Sequence, residues 1–272
     1  MDPPAQELLA YKSFAVLGWF AAVLTAERLW PAARRADFER GAGRGPLGQW
    51  LGEPRRLGRN GALWLANVPL GWLLVVPLSA WAARFDLGIR PEWWGGWLGL
   101  GLDLLLLDVW IYWWHRANHE VPVLWRFHRI HHLDRFLDST SAIRFHFGEV
   151  FLSALARAAV IIALDVPLAS VLVFESMVLM GAMFHHSNVR LPPRLERALA
   201  RAVVTPSIHW VHHHAARGDT DSNYATILSL WDPLFGTRSR TRRRLDMEIG
   251  VEGEDEAPLI ELVLRPFRKW RD

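Results

Sequence analysis

The chain has 272 residues, 51% of them hydrophobic, and a formal net charge of +3, which leaves room for one good-sized domain or one membrane bundle with a cap. Cysteine is absent, so disulfides, thiolate nucleophiles and cysteine-held zinc are excluded. Sixteen tryptophans against three tyrosines, and twelve histidines, point toward a membrane–water interface and toward imidazole chemistry.

In chain order, the N-terminus carries Asp2 and Glu7 where a secretory signal would be basic, so no cleavable signal peptide is expected. Residues Ser13 to Trp30 read as a first, shortish membrane helix ending in Glu27 and Arg28. Gly61 to Ala83 carry no charge and are long enough for a ~30 Å hydrocarbon layer. Pro69 and Pro77 inside this stretch are tolerable where packed neighbours satisfy the freed carbonyls. A third span runs from Trp94 to Trp114, uncharged except for Asp103 and Asp108. The apolar block Val150 to Phe184 is broken at Asp165, Val166 and Pro167, and each half is short, which predicts a tight helical hairpin dipping into the membrane.

Arginine placement sets an orientation. The first loop holds Arg34, Arg35, Arg40, Arg44, Arg55, Arg56 and Arg59, and the segment after the third span is rich again, with Arg116, Arg126, Arg129, Arg135 and Arg144. The loop after the second span has only Arg84 and Arg90, offset by Asp86 and Glu92. The positive-inside rule then puts the histidine-rich region in the cytoplasm and the N-terminus outside. Lysine occurs only at Lys12 and Lys269, an arginine-heavy usage that suggests a GC-rich bacterial gene and hence a bacterial inner membrane. The tail after His185 has no spanning segment; its basic run from Arg238 to Arg244 lacks interleaved aromatics and reads as solvated or lipid-headgroup-facing rather than as a nucleic-acid patch. The expected fold is therefore all-α: a polytopic membrane helix bundle of about three spans plus a membrane hairpin, with a cytosolic helical cap holding a histidine-rich dimetal site.

Eleven of the twelve histidines cluster. His115 and His119 lie four apart at the end of the third span, followed by His128, His131 and His132 in an H-x-x-H-H pattern. His209, His212 and His213 repeat that pattern 77 residues after His132, with His214 adjoining, and His185 and His186 stand at the exit of the hairpin. On a helix, positions i, i+3 and i+4 share a face with Cβ atoms ~5–6 Å apart, so a pair at i, i+4 can chelate one ion, and an H-x-x-H-H triplet can bind one ion while reaching toward a second. A single histidine at a helix end is usually a cap or a solvated residue; two such triplets and an H-x-x-x-H in one chain are a metal-binding signal. Imidazole suits Fe, Zn, Cu and Ni alike, so the ligand type does not name the metal. Asp108 precedes His115 by two helical turns on the same face, where it could accept the free ring N–H of a ligand histidine; a hydrogen bond to another polar group in the bundle is the competing reading. Asp103, one turn further into the membrane, reads as structural.

These residues resemble the fatty acid hydroxylase, or sterol desaturase, superfamily of membrane di-iron enzymes. Asp108 to His119 is similar to the family's opening motif, and Leu124 to His132 to its continuation. Arg144-Phe-His146-Phe147-Gly-Glu149 is similar to an Arg-x-His-Pro-x-Glu element, with phenylalanine where proline is usual. Phe184 to Asn188 resembles the His-Ser-Asn element, and Thr205 to His213 the final triplet. Asp221 to Ala225 and Trp231 to Thr237 resemble the closing signature, with Ala225 in place of a usual glycine. The resemblance covers roughly residues 100 to 240. It divides the chain into membrane helices over 1–100, a catalytic domain over 101–240 and a C-terminal cytosolic tail over 241–272.

The resemblance implies iron ligands at His115, His119, His128, His131, His132, His186, His209, His212 and His213. His185 is an additional candidate, although the family's single histidine there aligns better with His186. Asp108 is expected to support the ligands, and the resemblance adds His146, Glu149, Asn188, Asn223, Tyr224 and Asp232 as supporting or scaffold residues. It further implies two Fe ions, O2 as cosubstrate, and hydroxylation or desaturation of a C–H bond of a lipid such as a sterol, carotenoid or fatty acyl chain. No dinucleotide loop, flavin motif or haem-binding domain is visible, so an external electron donor of the ferredoxin or cytochrome type, with its reductase, is expected. Two other readings stay open: a zinc-dependent membrane hydrolase, which would need a carboxylate base beside the metal, and a catalytically silent metal-binding membrane protein.

Overall fold

A computed structural model describes residues 3–33 and 54–268. Arg34, Arg35, Arg40 and Arg44, counted above in the orientation argument, lie outside the described residues. Among the described residues the secondary structure is helical, with isolated β-bridges in place of strands. Four helices are long and apolar enough to cross a membrane: α1 (Pro3–Leu29), α2 (Pro54–Ala82), α3 (Gly96–Glu120) and, after α4 (Pro122–His132) and α5 (Phe147–Ala163), α6 (Leu168–His186). The chain is an integral membrane protein. Its outward faces fit that solvent: Leu73 is 79% and Phe14 75% exposed, a cost in water that lipid removes.

Pro69 and Pro77 do not break α2. A proline cannot donate to the carbonyl four residues back and its ring crowds that carbonyl; α2 absorbs this by widening into a π turn over Gly71–Val75, between the two prolines. The expected hairpin is α5 and α6, longer than the apolar block suggested, because α5 starts at Phe147 and α6 continues through His186. The turn costs few residues because Asp165 adopts a positive φ of 49°, which a short polar side chain tolerates. With 19 residues, α6 qualifies as a span by itself.

The two ends of the bundle are tied differently. At one end Asp165 accepts the backbone N–H groups of Leu87 (2.9 Å) and Ile89 (3.2 Å). There Asp103 accepts from Arg90 (2.8 and 3.1 Å), Trp94 Nε1 (3.0 Å) and Ser170 Oγ (2.7 Å), the structural role expected of it. At the other end α1 and α2 are moored to the loop after α4. Glu27 accepts from Ser139 N (2.9 Å), Ser139 Oγ (2.8 Å) and Asn188 N (3.1 Å). Arg56, 3% exposed, binds Asp134 (2.5 and 2.8 Å) and Asp138 (3.0 Å). Burial alone would raise the Asp134 carboxyl, but Arg56 and Arg144 hold it below the ordinary carboxylate value. Removing one partner of such a buried pair costs about 3–5 kcal/mol, since a charge is left uncompensated.

The described part of the tail, through residue 268, packs against the bundle. Within it α11 (Leu259–Leu264), which follows the short helices α7 (Pro193–Leu199), α8 (Pro206–His212), α9 (Arg217–Thr220) and α10 (Trp231–Phe235), buries Leu262 against Leu63, Ile130 and Leu133. The basic run is not uniformly solvated either: Arg243 stacks on Trp210 at 3.9 Å from the ring centroid.

Candidate metal centre

Proline placement builds the site. Val121, forced extended by Pro122, ends α3 (φ −93°, ψ 114°), and Pro122 opens α4 at its first position. A single extended residue thus turns the chain sharply and folds the α4 triplet back against His115 and His119. Pro206 opens α8 in the same way and brings in the second triplet. The nine histidines of the implied ligand set fall into two groups, within each of which the ring nitrogens lie within 4.8 Å of one another. The first group is His115, His119, His128, His132 and His212; the second is His131, His186, His209 and His213. Each triplet is divided: α4 gives its i, i+4 pair to the first group and its middle histidine to the second, and α8 does the reverse.

The hydrogen bonds on the outer nitrogens fix which atom points inward. His115 Nδ1 faces Tyr224 O (2.8 Å), His212 Nδ1 faces Ser222 O (2.7 Å), and His128 Nδ1 faces Glu149 Oε1 (2.8 Å). In the second group His131 Nδ1 faces Arg144 O (3.2 Å) and His186 Nδ1 faces Ala182 O (2.8 Å). A carbonyl only accepts, so these Nδ1 atoms carry the proton and the Nε2 atoms present lone pairs. Yet Nε2 of His186 lies 3.0 Å from that of His131 and 2.9 Å from that of His209, and Nε2 of His213 lies 3.1 Å from that of His209. His131 and His186 thus meet lone pair to lone pair, which cannot hydrogen-bond; a cation between them relieves the repulsion. With metal–nitrogen bonds of ~2.1 Å, ligands at right angles would have nitrogens ~3.0 Å apart, which matches. Burial, then the neighbouring rings, pushes His131, His132, His209, His212 and His213 well below the ordinary imidazole value, which keeps them neutral and able to ligate. In the first group both nitrogens of His119 and His132, and Nε2 of His128 and His212, are buried without a hydrogen-bond partner. Orphaned buried nitrogens in two convergent sets fit two metal ions.

His185, the additional candidate, belongs to neither group. Consecutive helical residues point about 100° apart, so both members of the pair cannot aim at one point; His185 faces the Thr226 carbonyl instead. His214 is also outside, bonded to Asp219 Oδ2 (2.8 Å). Asp108 does not meet a histidine. Its Oδ2 accepts from Trp231 Nε1 (2.7 Å) and Leu228 N (3.1 Å), because His115 has already turned its Nδ1 to Tyr224.

Of the other supporting residues, Glu149 touches His128 directly, and Asp232 acts one step back. Asp232 accepts from Tyr224 N (2.7 Å), Ala225 N (3.2 Å) and Thr237 Oγ1 (2.8 Å), clamping the loop whose carbonyls orient His115 and His212. Asn223, at φ 53°, ties that loop to Ile208 O (3.2 Å) and Ser239 N (3.1 Å). Asn188 holds Ala33 through both its amide atoms (2.9 and 2.8 Å), and His146 caps α5 by accepting Gly148 N (2.9 Å). Phe147 is the first residue of α5, where proline is favoured but not required, and Ala225 needs no positive φ, so both departures from the family pattern fit the backbone. The sequence reading missed Arg56, Asp134 and Asp138, and it missed a cavity of about 450 Å³ that begins at His115, His128, His131 and His186 and runs between apolar walls such as Ile111, Phe174 and Val178.

The fatty acid hydroxylase family model matches residues 100–237, the segment that carries both triplets. The chain belongs to the fatty acid hydroxylase family. Curated relatives include an ornithine lipid hydroxylase of Rhizobium tropici, 29% identical, with 66% of this chain and 54% of the relative aligned. An alkylglycerol monooxygenase of Danio rerio is 32% identical over 53% of this chain and 30% of its own. A lathosterol oxidase of Mus musculus is 28% identical over 63% and 56%. The alignments thus cover about half of the first relative, 54%, and less than a third of the second, 30%. No solved structure matches the chain. All twelve histidines lie within the matched segment, and with them both histidine groups.

Proposed function

We propose that this fatty acid hydroxylase family member is an O2-dependent di-iron oxygenase that hydroxylates or desaturates a C–H bond of a membrane lipid. The observation that carries the reading is the meeting of two histidine groups with one end of an apolar cavity inside a membrane bundle. The first group would hold one iron through His115, His119, His128, His132 and His212, and the second the other through His131, His186, His209 and His213. Bound there, the pair of irons would supply the electrons and Lewis acidity that activate O2. The chain's own residues do the rest. Glu149 and the Tyr224, Ser222, Arg144 and Ala182 carbonyls keep the rings in one tautomer and orientation. The apolar walls bind an alkyl chain by its hydrophobic surface and keep water from the reacting carbon.

The catalytic unit in this reading is 101–240, the substrate a lipid as in the names of the relatives, and the reductant an external ferredoxin- or cytochrome-type donor. The histidine end would face the cytoplasm of a bacterial inner membrane, supported by Arg55, Arg56 and Arg59 at the start of α2 on that end and by the arginines after α3. Metal analysis of detergent-purified protein from iron-replete cells should give close to two irons per chain, falling in His128→Ala and His212→Ala; zinc in their place, or unchanged iron in the variants, overturns the reading. Lipid profiles of a host with and without the gene under aeration should differ by an oxygenated or unsaturated species. A reporter fused after Asn60 should behave as cytoplasmic.

A further inference from the structure

The cavity has a second polar end. Lys12 of α1, Arg157 of α5 and Glu175 of α6 all line it, and all three are largely buried, with side-chain exposures of 14%, 15% and 11%. Lys12 Nζ binds Glu175 Oε2, and Arg157 reaches Glu175 Oε1 at 3.2 Å. Two cations therefore share one carboxylate. The other described carboxylate on the cavity wall is Glu149, at the histidine end and bonded to His128.

The trio staples α1 and α5 to α6, but two cations on one carboxylate also leave a positive charge in excess inside the bundle. A second cation, desolvated at membrane depth with no counter-charge of its own, is costly, and such residues are kept where they pair with something. Arg157 Nε is buried and has no hydrogen-bond partner, so the guanidinium retains donor capacity beside the cavity. We propose that this end of the cavity binds the anionic group, carboxylate or phosphate, of a single-chain lipid whose tail runs to the histidines. The substrate class rests on the oxygenase reading above; the anion site itself does not.

The geometry sets a ruler. Arg157 lies eight residues beyond Glu149 on α5, and Glu175 lies eleven residues before His186 on α6. At 1.5 Å per residue the anion and the oxidised carbon are then about 12–16 Å apart. The volume of about 450 Å³ suits one alkyl chain rather than a two-chain phospholipid.

The test uses full-length, detergent-purified protein and chain-brominated palmitate, hexadecyl phosphate and hexadecanol, read by quenching of tryptophan fluorescence, since Trp114 lines the cavity. At least one anion should bind roughly tenfold or more tighter than the alcohol, the scale of a charge-assisted bond. The tighter of the two names the source, fatty acid or lipid phosphate. Arg157→Met should bring acid and alcohol to within about twofold, while Arg157→Lys retains the preference. Equal binding of anions and alcohol by the unmodified protein overturns the site, and so does a preference that survives Arg157→Met. The comparison on the unmodified protein decides even if Arg157→Met does not fold. An anion preference in protein that holds no iron and oxidises no lipid leaves this site standing and removes the oxygenase reading. Iron and turnover without an anion preference do the opposite.

Discussion

The two histidine groups are built from the same two helices and yet are not equivalent. Both draw on α4 and α8, whose triplets are split between them; α3 contributes only to the first group, and α6 only to the second. The first has five histidines and one carboxylate support, Glu149; the second has four, oriented by backbone carbonyls. Damage to α4 or α8 should therefore affect both metals, whereas α3 and α6 address them separately. The first group also has a ligand to spare relative to the second.

The largest effects should fall on the group with fewer ligands. His186→Ala removes one of four nitrogens in the second group and should leave about one metal per chain, with product formation down by more than the ~100-fold seen when mere outer supports are lost. His119→Ala, one of five in the first group, should lower product formation comparably but release its metal less completely. Metal content by mass spectrometry and oxygenated lipid per chain check both; equal metal loss in the two variants would remove the asymmetry. Next comes Glu149→Gln. Glutamine can still accept from His128 Nδ1 but carries no charge, so metal affinity of the first group or activity should fall about 10–100-fold, with the second metal retained. A chelator titration that strips both metals together would contradict the separation.

A smaller effect is expected from Asp232→Ala. It leaves the N–H groups of Tyr224 and Ala225 without their acceptor, at about 1–3 kcal/mol, and loosens the loop that orients His115 and His212. Thermal unfolding should report the loss, and metal release should be confined to the first group, because no second-group histidine leans on that loop.

How much of this was readable in the sequence follows from range. The triplet spacing is local, so helical period alone puts His128, His131 and His132 on one face; their division into 128 and 132 against 131 needs the partners that folding brings. The corner at Val121-Pro122 and the start of α8 at Pro206 are likewise local signals. The partner of Asp108 was not readable, because Trp231 arrives 123 residues later and competes with a histidine only one turn or two away. Arg56 with Asp134 and Asp138 was hidden for the same reason: nothing local links residues 78 and 82 positions apart. Lys12, Arg157 and Glu175 left a fainter trace: Arg157 and Glu175 are charges inside the apolar block Val150 to Phe184, where an ionisable side chain asks for a partner, and Lys12 borders the first span. Only the packing of α1 and α5 against α6 brings them to one cavity.

The smallest expected effect tests the boundary of the groups themselves. His214 adjoins His213, and in sequence nothing separates it from the ligands. In space it has left them: α8 ends at His212, and the His214 ring turns to Asp219 Oδ2 at 2.8 Å, with 24% and 13% of the two side chains exposed. A partly exposed pair of this kind contributes about 0.2–1 kcal/mol, and Asp219 keeps its bond from Ser239 Oγ (2.7 Å) when the ring is lost. His214→Ala should therefore lower stability by under about 1 kcal/mol and leave metal content and product formation unchanged. Loss of a metal in this variant would mean that α8 supplies its ligands in a different register, and the division into five and four would fail with it.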